Sequence, residues 1–368
     1  MSVAKSTMTA RERWLAAVDG KPVDHLPFWP KIGGAYARAQ AAPWRDLPLS
    51  EMHRTLGSEE HAGVGLCSRE VRRRTGRREE REGDLRRITF ETPGGDLVEE
   101  ARYDEATQSW HPTSHPVKTR EDILRLTEWC ADAAYEFDAP RKADAVAHMR
   151  NIGEGAVVAA NLGTSPLMRW IEWLAGIENA HYLLADHPGE VAELFATLQR
   201  GLLRLIEIEM EHNPADLFYL TENTSTTLLS PEQYRTLGLP HIVEAGGLVR
   251  AAGRRLVLHM CGKLKHVLPL LAQTPATAFE AFTSPPVGDT RLIDGRTACP
   301  DVCLIGGTNA TLWLRPADEI VAEIERDLQV LPHHRRIVVT SAGMMPPACR
   351  PETIREVCRR VHAYPVRM

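Results

Sequence analysis

No run of apolar residues in this chain approaches the length needed to cross a bilayer. Residues 1–7, Met-Ser-Val-Ala-Lys-Ser-Thr, lead into a charged helical stretch, so no signal-peptide core is expected. An excess of basic charge is also missing. The 44 Lys and Arg face 49 Asp and Glu, a net charge of −5, which excludes a global positive field for nucleic acid or an anionic membrane. There is no disulfide framework. The seven cysteines (67, 130, 261, 299, 303, 349 and 358) are odd in number and widely spread, so a reduced, cytoplasmic protein is expected. Nor does a glycine fingerprint follow the first strand-like run, which argues against a doubly wound dinucleotide fold.

What is present is an ordinary globular balance, with 43% apolar and 25% charged residues in 368. That length suits two average domains or one large barrel. Thr9-Ala10-Arg11-Glu12 has capping-box spacing before an apolar face at Trp14, Leu15 and Val18, and Gly20-Lys21-Pro22 stops the helix. Short apolar runs then recur at 26–29, 63–66, 156–162, 217–220, 256–259, 279–282, 302–305 and 337–340. Helical stretches are expected near 119–129, 168–185, 188–212, 316–328 and 351–361, and Ser230-Pro231-Glu232-Gln233 reads as a capped helix start. Eight strands separated by helical segments predict a (β/α)8 TIM barrel filling 1–368 as one domain. Residues 69–110 interrupt this rhythm with interleaved arginines and acids. Ile88-Thr89-Phe90-Glu91-Thr92 and Leu97-Val98-Glu99 flank Pro93-Gly94-Gly95, predicting an N-terminal β-hairpin insertion with a solvated face. His111 and His115 fall in a Pro-containing stretch read as a surface loop.

In such a barrel, chemistry belongs where the strands end. The polar residues there are Lys31, Asn161, Glu222, His259, Cys261, Glu280, Asn309 and Ser341. The run Leu256-Val257-Leu258-His259-Met260-Cys261-Gly262 carries most weight. Side chains at i and i+2 of a strand share a face, so His259 and Cys261 can aim at one point. Glu280, nineteen positions after Cys261, ends the next strand. Nitrogen, sulfur and carboxylate oxygen suit zinc, and three protein ligands leave a position open for chemistry. The competing reading makes His259 a hydrogen-bonded core histidine and Cys261 a small buried hydrophobe. Cys299 and Cys303, before a buried strand, read as packing residues.

Thr9–Val18 followed by Pro22-Val23-Asp24-His25-Leu26-Pro27 resembles the opening of the uroporphyrinogen decarboxylase superfamily. The likeness extends through Leu229-Ser230-Pro231-Glu232-Gln233-Tyr234, His259-Met260-Cys261-Gly262 and Gly306-Gly307-Thr308-Asn309, and so spans nearly the whole chain. The resemblance implies a (β/α)8 barrel and one of two chemistries, decarboxylation or corrinoid-linked methyl transfer. Decarboxylases of the family carry paired arginines after the first strand; Pro30-Lys31-Ile32-Gly33-Gly34-Ala35-Tyr36 has none. His259-Met260-Cys261 is similar to the zinc motif of methylcobalamin-dependent methyltransferases. Those enzymes take a late cysteine after the last strand, where this chain has Met344; Cys349 is the substitute expected here, since a thioether is a poor zinc ligand. Cobalamin-independent methionine synthases resemble it too, binding zinc by His-x-Cys, a Glu on the following strand, and a late Cys. His259, Cys261, Glu280 and Cys349 reproduce that order.

The resemblance therefore implies a zinc-dependent methyltransferase, with methyl exchanged between a small thiol, methyl ether or methylamine and a corrinoid. No corrinoid-binding domain is evident in the chain, so methylcobalamin free in solution or a corrinoid carrier protein is the expected partner. Glu222 and Glu280 are candidate catalytic carboxylates, and Lys31, Asn161, Asn223 and Asn309 candidate substrate contacts. The insertion would serve as a lid or docking surface. A metal-dependent lyase or hydrolase with zinc-bound water is the alternative, as is a decarboxylase-like or non-catalytic barrel.

Overall fold

The computed structural model describes residues 7–105 and 109–368; most of the opening segment, residues 1–6, lies outside it. Eight parallel strands form one sheet that nearly closes into a barrel. They are β1 (Phe28–Trp29), β2 (Glu60–Gly63), β3 (Ala156–Gly163), β4 (Leu217–Thr221), β5 (Arg255–His259), β6 (Ala278–Phe282), β7 (Cys303–Gly306) and β8 (Ile337–Thr340). Hydrogen bonding runs β1-β8-β7-β6-β5-β4-β3-β2. The fold is a (β/α)8 barrel, with helices between successive strands from β3 onward.

Alternation along the strands sorts two cores. Val157, Leu217, Tyr219, Val257, Ala278, Cys303, Ile305 and Val338 fill the barrel interior with Trp14. Phe218, Leu258, Phe279, Leu304 and Val339 face the outer helices. Cys303 is thus interior filling, and Cys299 joins the outer core, as their packing reading requires. The helix Ala10–Asp19 begins with the reciprocal Thr9–Glu12 capping box, and Ser230 with Gln233 does the same for residues 231–233.

Two segments depart from the sequence reading. The second strand is Glu60–Gly63, not 63–66, because polar His61 faces the aromatic interior, its ring stacked on Trp29 at 4.5 Å. The insertion is larger than a hairpin. Gly76–Glu82, Leu85–Glu91, Leu97–Asp104 and Ser109–Ser114 form a four-stranded antiparallel sheet, and Ser68–Val71 pairs with Ala134–Phe137 beside it. Residues 109–114, read as a loop, are the edge strand, where Pro112 needs no inward donor. Ile88, Phe90 and Leu97 turn inward with Trp129 of the helix Arg120–Ala131, and Phe90 meets the Trp129 ring edge-on at 4.9 Å. The opposite face is solvated and laced with pairs such as Arg87–Glu100 and Arg102–Asp84.

Candidate metal centre at the barrel mouth

The carboxyl ends of the strands hold four left-handed non-glycine residues: Lys31 (φ 46°), Asn223 (φ 38°), Ala281 (φ 62°) and Ala342 (φ 62°). Backbone conformations of this kind cost of order 1–3 kcal/mol each and concentrate at functional sites. Ala281 is also where the β6–β7 register slips, so that Glu280 pairs Ile305 and Phe282 pairs Gly306. This bulge sits immediately beyond Glu280.

His259, Lys31, Cys261 and Glu280 make one connected set. Cys261 Sγ lies 3.2 Å from His259 Nε2. The other ring nitrogen, Nδ1, makes a short contact with Glu280 Oε2. Lys31 Nζ donates to Glu280 Oε1 at 2.7 Å and to the Ala342 carbonyl at 3.3 Å. Burial would raise the Glu280 carboxyl pKa, yet the Lys31 charge and the His259 contact outweigh it and hold the group at about 2. Burial likewise opposes the His259 imidazolium, but its bonds to Cys261 and Glu280 dominate and push it up to about 10. The ring is anchored through its backbone as well, since the His259 carbonyl accepts from the N–H groups of Glu222 (2.8 Å) and Asn223 (3.0 Å).

Tetrahedral zinc with ordinary bond lengths holds nitrogen and sulfur donors about 3.5 Å apart. The His259–Cys261 pair is close to that separation. Glu280 sits on the far side of the ring from Cys261, with one oxygen on His259 Nδ1 and the other on Lys31. Cys349, the expected late ligand, is not gathered here. It is buried in the outer core, its backbone carbonyl accepts from Tyr36 Oη at 2.9 Å, and burial pushes its thiol up to about 12. Met344 is exposed. The mouth therefore brings an imidazole nitrogen and a thiol, His259 and Cys261, into one place.

The other candidates separate by how much of their bonding is already used. Asn309 is consumed internally. Its side chain caps the turn at Ala310–Leu314 and donates to Ser284 Oγ and the Pro285 carbonyl, both at 3.0 Å. Asn161 is exposed and braces the Gly163 N–H at 2.9 Å. Glu222 is wholly buried, and both its oxygens accept from Ser165. Its burial outweighs those bonds and raises its pKa to about 7. Beside Asn223, the half-buried Glu172 has its carboxyl raised by burial against the lowering pull of Asn223, Trp173 and the His259 charge. Glu172 was not foreseen. It lies in the π-helical turn Trp170–Leu174, and its one signal is an acid between two tryptophans in an apolar stretch. His61 was missed as well; burial draws its pKa to about 4.

Fold and site together define a (β/α)8 barrel with thiol and imidazole donors at its mouth. Residues 112–364 match the uroporphyrinogen decarboxylase (URO-D) family, and the chain belongs to that family. Among solved structures it is similar to a methyltransferase from Methanosarcina mazei, with a TM-score of 0.58 and 14% identity, covering 96% of this chain and 98% of that one. It is also similar to a putative vitamin-B12-independent methionine synthase from Listeria monocytogenes (TM-score 0.44, 13% identity, 92% of this chain and 94% of that one). A B12-independent methionine synthase from Shewanella sp. W3-18-1 aligns over 67% of this chain and 72% of its own, with a TM-score of 0.43 and 12% identity. At these identities the likeness is one of fold. No curated protein matches the chain. Among the described residues, no helix is long and apolar enough to cross a membrane.

Proposed function

We propose that this protein is a zinc-dependent methyltransferase that moves a methyl group between a small substrate and a corrinoid, the corrinoid being free methylcobalamin or held by a separate carrier protein. The observation that carries the reading is the His259–Cys261 pair at the mouth, with Glu280 fixed behind the ring. His259 Nε2 and Cys261 Sγ would hold the zinc, which when bound lowers the pKa of a coordinated thiol or polarises a methyl ether or amine.

The chain's own residues supply position and proton control. Lys31 keeps Glu280 ionised, and Glu280 in turn keeps Nε2 turned toward Cys261. Glu222 and Asn223 fix the strand end through the His259 carbonyl. Glu172, half-buried beside Asn223, would give or take a proton as the substrate loses or gains its methyl group. The poly-acidic substrate of a tetrapyrrole decarboxylase finds no anchor in the loop 30–36, where the lone cation, Lys31, is already committed to Glu280.

Elemental analysis of the wild type beside Cys261→Ala tests the metal, and demethylation of methylcobalamin with a panel of small thiols tests the transfer. Zinc that depends on Cys261, together with methyl transfer that fails in the variant, supports the reading. Zinc without any transfer would favour a lyase or hydrolase using metal-bound water, and wild type that binds no zinc at the mouth overturns the proposal.

A further inference from the structure

We propose that His25, Glu59 and His362 form a second cation site, for a divalent transition metal of the zinc class, at the end of the barrel opposite the mouth. His25 lies just before β1, Glu59 just before β2, and His362 closes the last helix, Pro351–His362. Strand starts and strand ends lie on opposite faces of a parallel barrel, so this cluster is separate from His259 and Cys261. Among the described residues it is the one group of three or more His, Cys, Asp or Glu whose donor atoms all lie within 4.8 Å of one another.

The geometry suits an ion. Glu59 Oε2 is 3.4 Å from His362 Nε2, and Glu59 Oε1 is 3.9 Å from His25 Nδ1. The two imidazole rings lie against each other with centroids 3.9 Å apart, which brings both to the same side of Glu59. Cys358, one helical turn before His362, stays outside the cluster, its Sγ donating to the Gly57 carbonyl at 3.2 Å. Two imidazoles with one carboxylate favour zinc and its neighbours over magnesium or calcium.

Arg13 donates to Glu59 Oε1 at 2.9 Å and to Asp24 at 2.6 Å, which fixes the carboxylate from one side. The Phe28 N–H orients the second Glu59 oxygen at 2.7 Å without adding charge. Each carboxylate oxygen keeps a lone pair for the imidazole side. The Glu59 side chain is 3% exposed, whereas His25 and His362 are 14% and 15% exposed, which leaves an entry path from solvent. A bound ion would clip the final helix to the entrances of the first two strands.

The test is zinc titration of chelator-stripped, full-length protein, read as equivalents bound and as the zinc-induced rise in Tm. Wild type, Cys261→Ala, His362→Ala and His25→Gln are compared. The expected result is that Cys261→Ala still binds one zinc per chain, and that His362→Ala and His25→Gln each lose one equivalent along with most of the Tm rise. Should His362→Ala not fold, the milder His25→Gln decides. Cys261→Ala that binds none, or histidine variants with undiminished stoichiometry and Tm rise, overturn the proposal. One equivalent kept in Cys261→Ala but lost in the histidine variants supports this site even if the mouth holds no metal.

Discussion

Cys261 Sγ lies 3.2 Å from Nε2 of His259, two residues earlier on the same inward face, while Glu280 occupies the opposite ring nitrogen. Carboxylates in that position typically change metal affinity by about 10–100-fold when removed. Glu280→Gln is therefore expected to weaken zinc binding at the mouth by roughly that factor. Cys349→Ser should leave it unchanged, because the Cys349 thiol is buried in the outer core. Competition with a zinc-sensitive dye measures both, and loss of mouth zinc in Cys349→Ser would contradict the arrangement described.

Lys31 and Glu280 form a buried ion pair, with side chains 9% and 2% exposed. Breaking such a pair by removing one partner costs about 3–5 kcal/mol, since the other charge is left buried. Lys31→Met should lower the metal-free unfolding free energy by about 3 kcal/mol in urea, with His259 still answering part of the charge. The double variant Lys31→Met/Glu280→Gln should cost less than the sum of the singles. Simple additivity would show the two charges to be uncoupled.

Glu222 supplies the pH prediction. Its carboxyl rises from 4.5 to about 7 because burial penalises the charged form. A raised pKa means the folded state binds the proton more tightly than the unfolded chain does. The contribution is then fully present below pH 4.5 and is lost as pH rises through 7. Across that window the loss amounts to about 3 kcal/mol. Glu222→Gln should flatten that slope in urea denaturation measured from pH 4.5 to 8, whatever its absolute stability. An unchanged slope would place the titration elsewhere.

Gly306 packs against the bulge beyond Glu280. A Cβ there would stand 2.2 Å from the Phe282 carbonyl oxygen. Backbone cannot yield as a side-chain tip can, so Gly306→Ala should destabilise by about 1–3 kcal/mol and disturb the mouth. Thermal melting reads the first effect and zinc stoichiometry the second. A variant as stable as wild type would mean the β6–β7 end relaxes freely.

Much of the barrel was legible because its strands are apolar runs with capped helices between them; Thr9–Glu12 and Ser230–Gln233 announced their helices directly. The second strand was misplaced for a physical reason: it carries Glu60 and His61, and polarity hid a strand whose histidine stacks on tryptophan. The acid–arginine sheet at 76–114 was underestimated because charge pairing across strands leaves no apolar alternation on its outer face. At the site, the i and i+2 positions of His259 and Cys261 followed from strand geometry alone. The side of the ring that Glu280 takes did not, since it depends on Lys31 arriving from the far end of the chain. Asn309 was expected to meet substrate but is spent on its own turn, a distinction that only a full count of its hydrogen bonds reveals.

The Lys31–Glu280 contact joins residues 249 positions apart. During synthesis, Lys31 leaves the ribosome long before its partner exists, and no local segment can hold His259 in its final orientation. The mouth is therefore complete only when the ring of strands closes. Under the proposed function, competence to bind metal there would report finished folding, and a chain cut short before β6 would carry the His-x-Cys motif without Glu280.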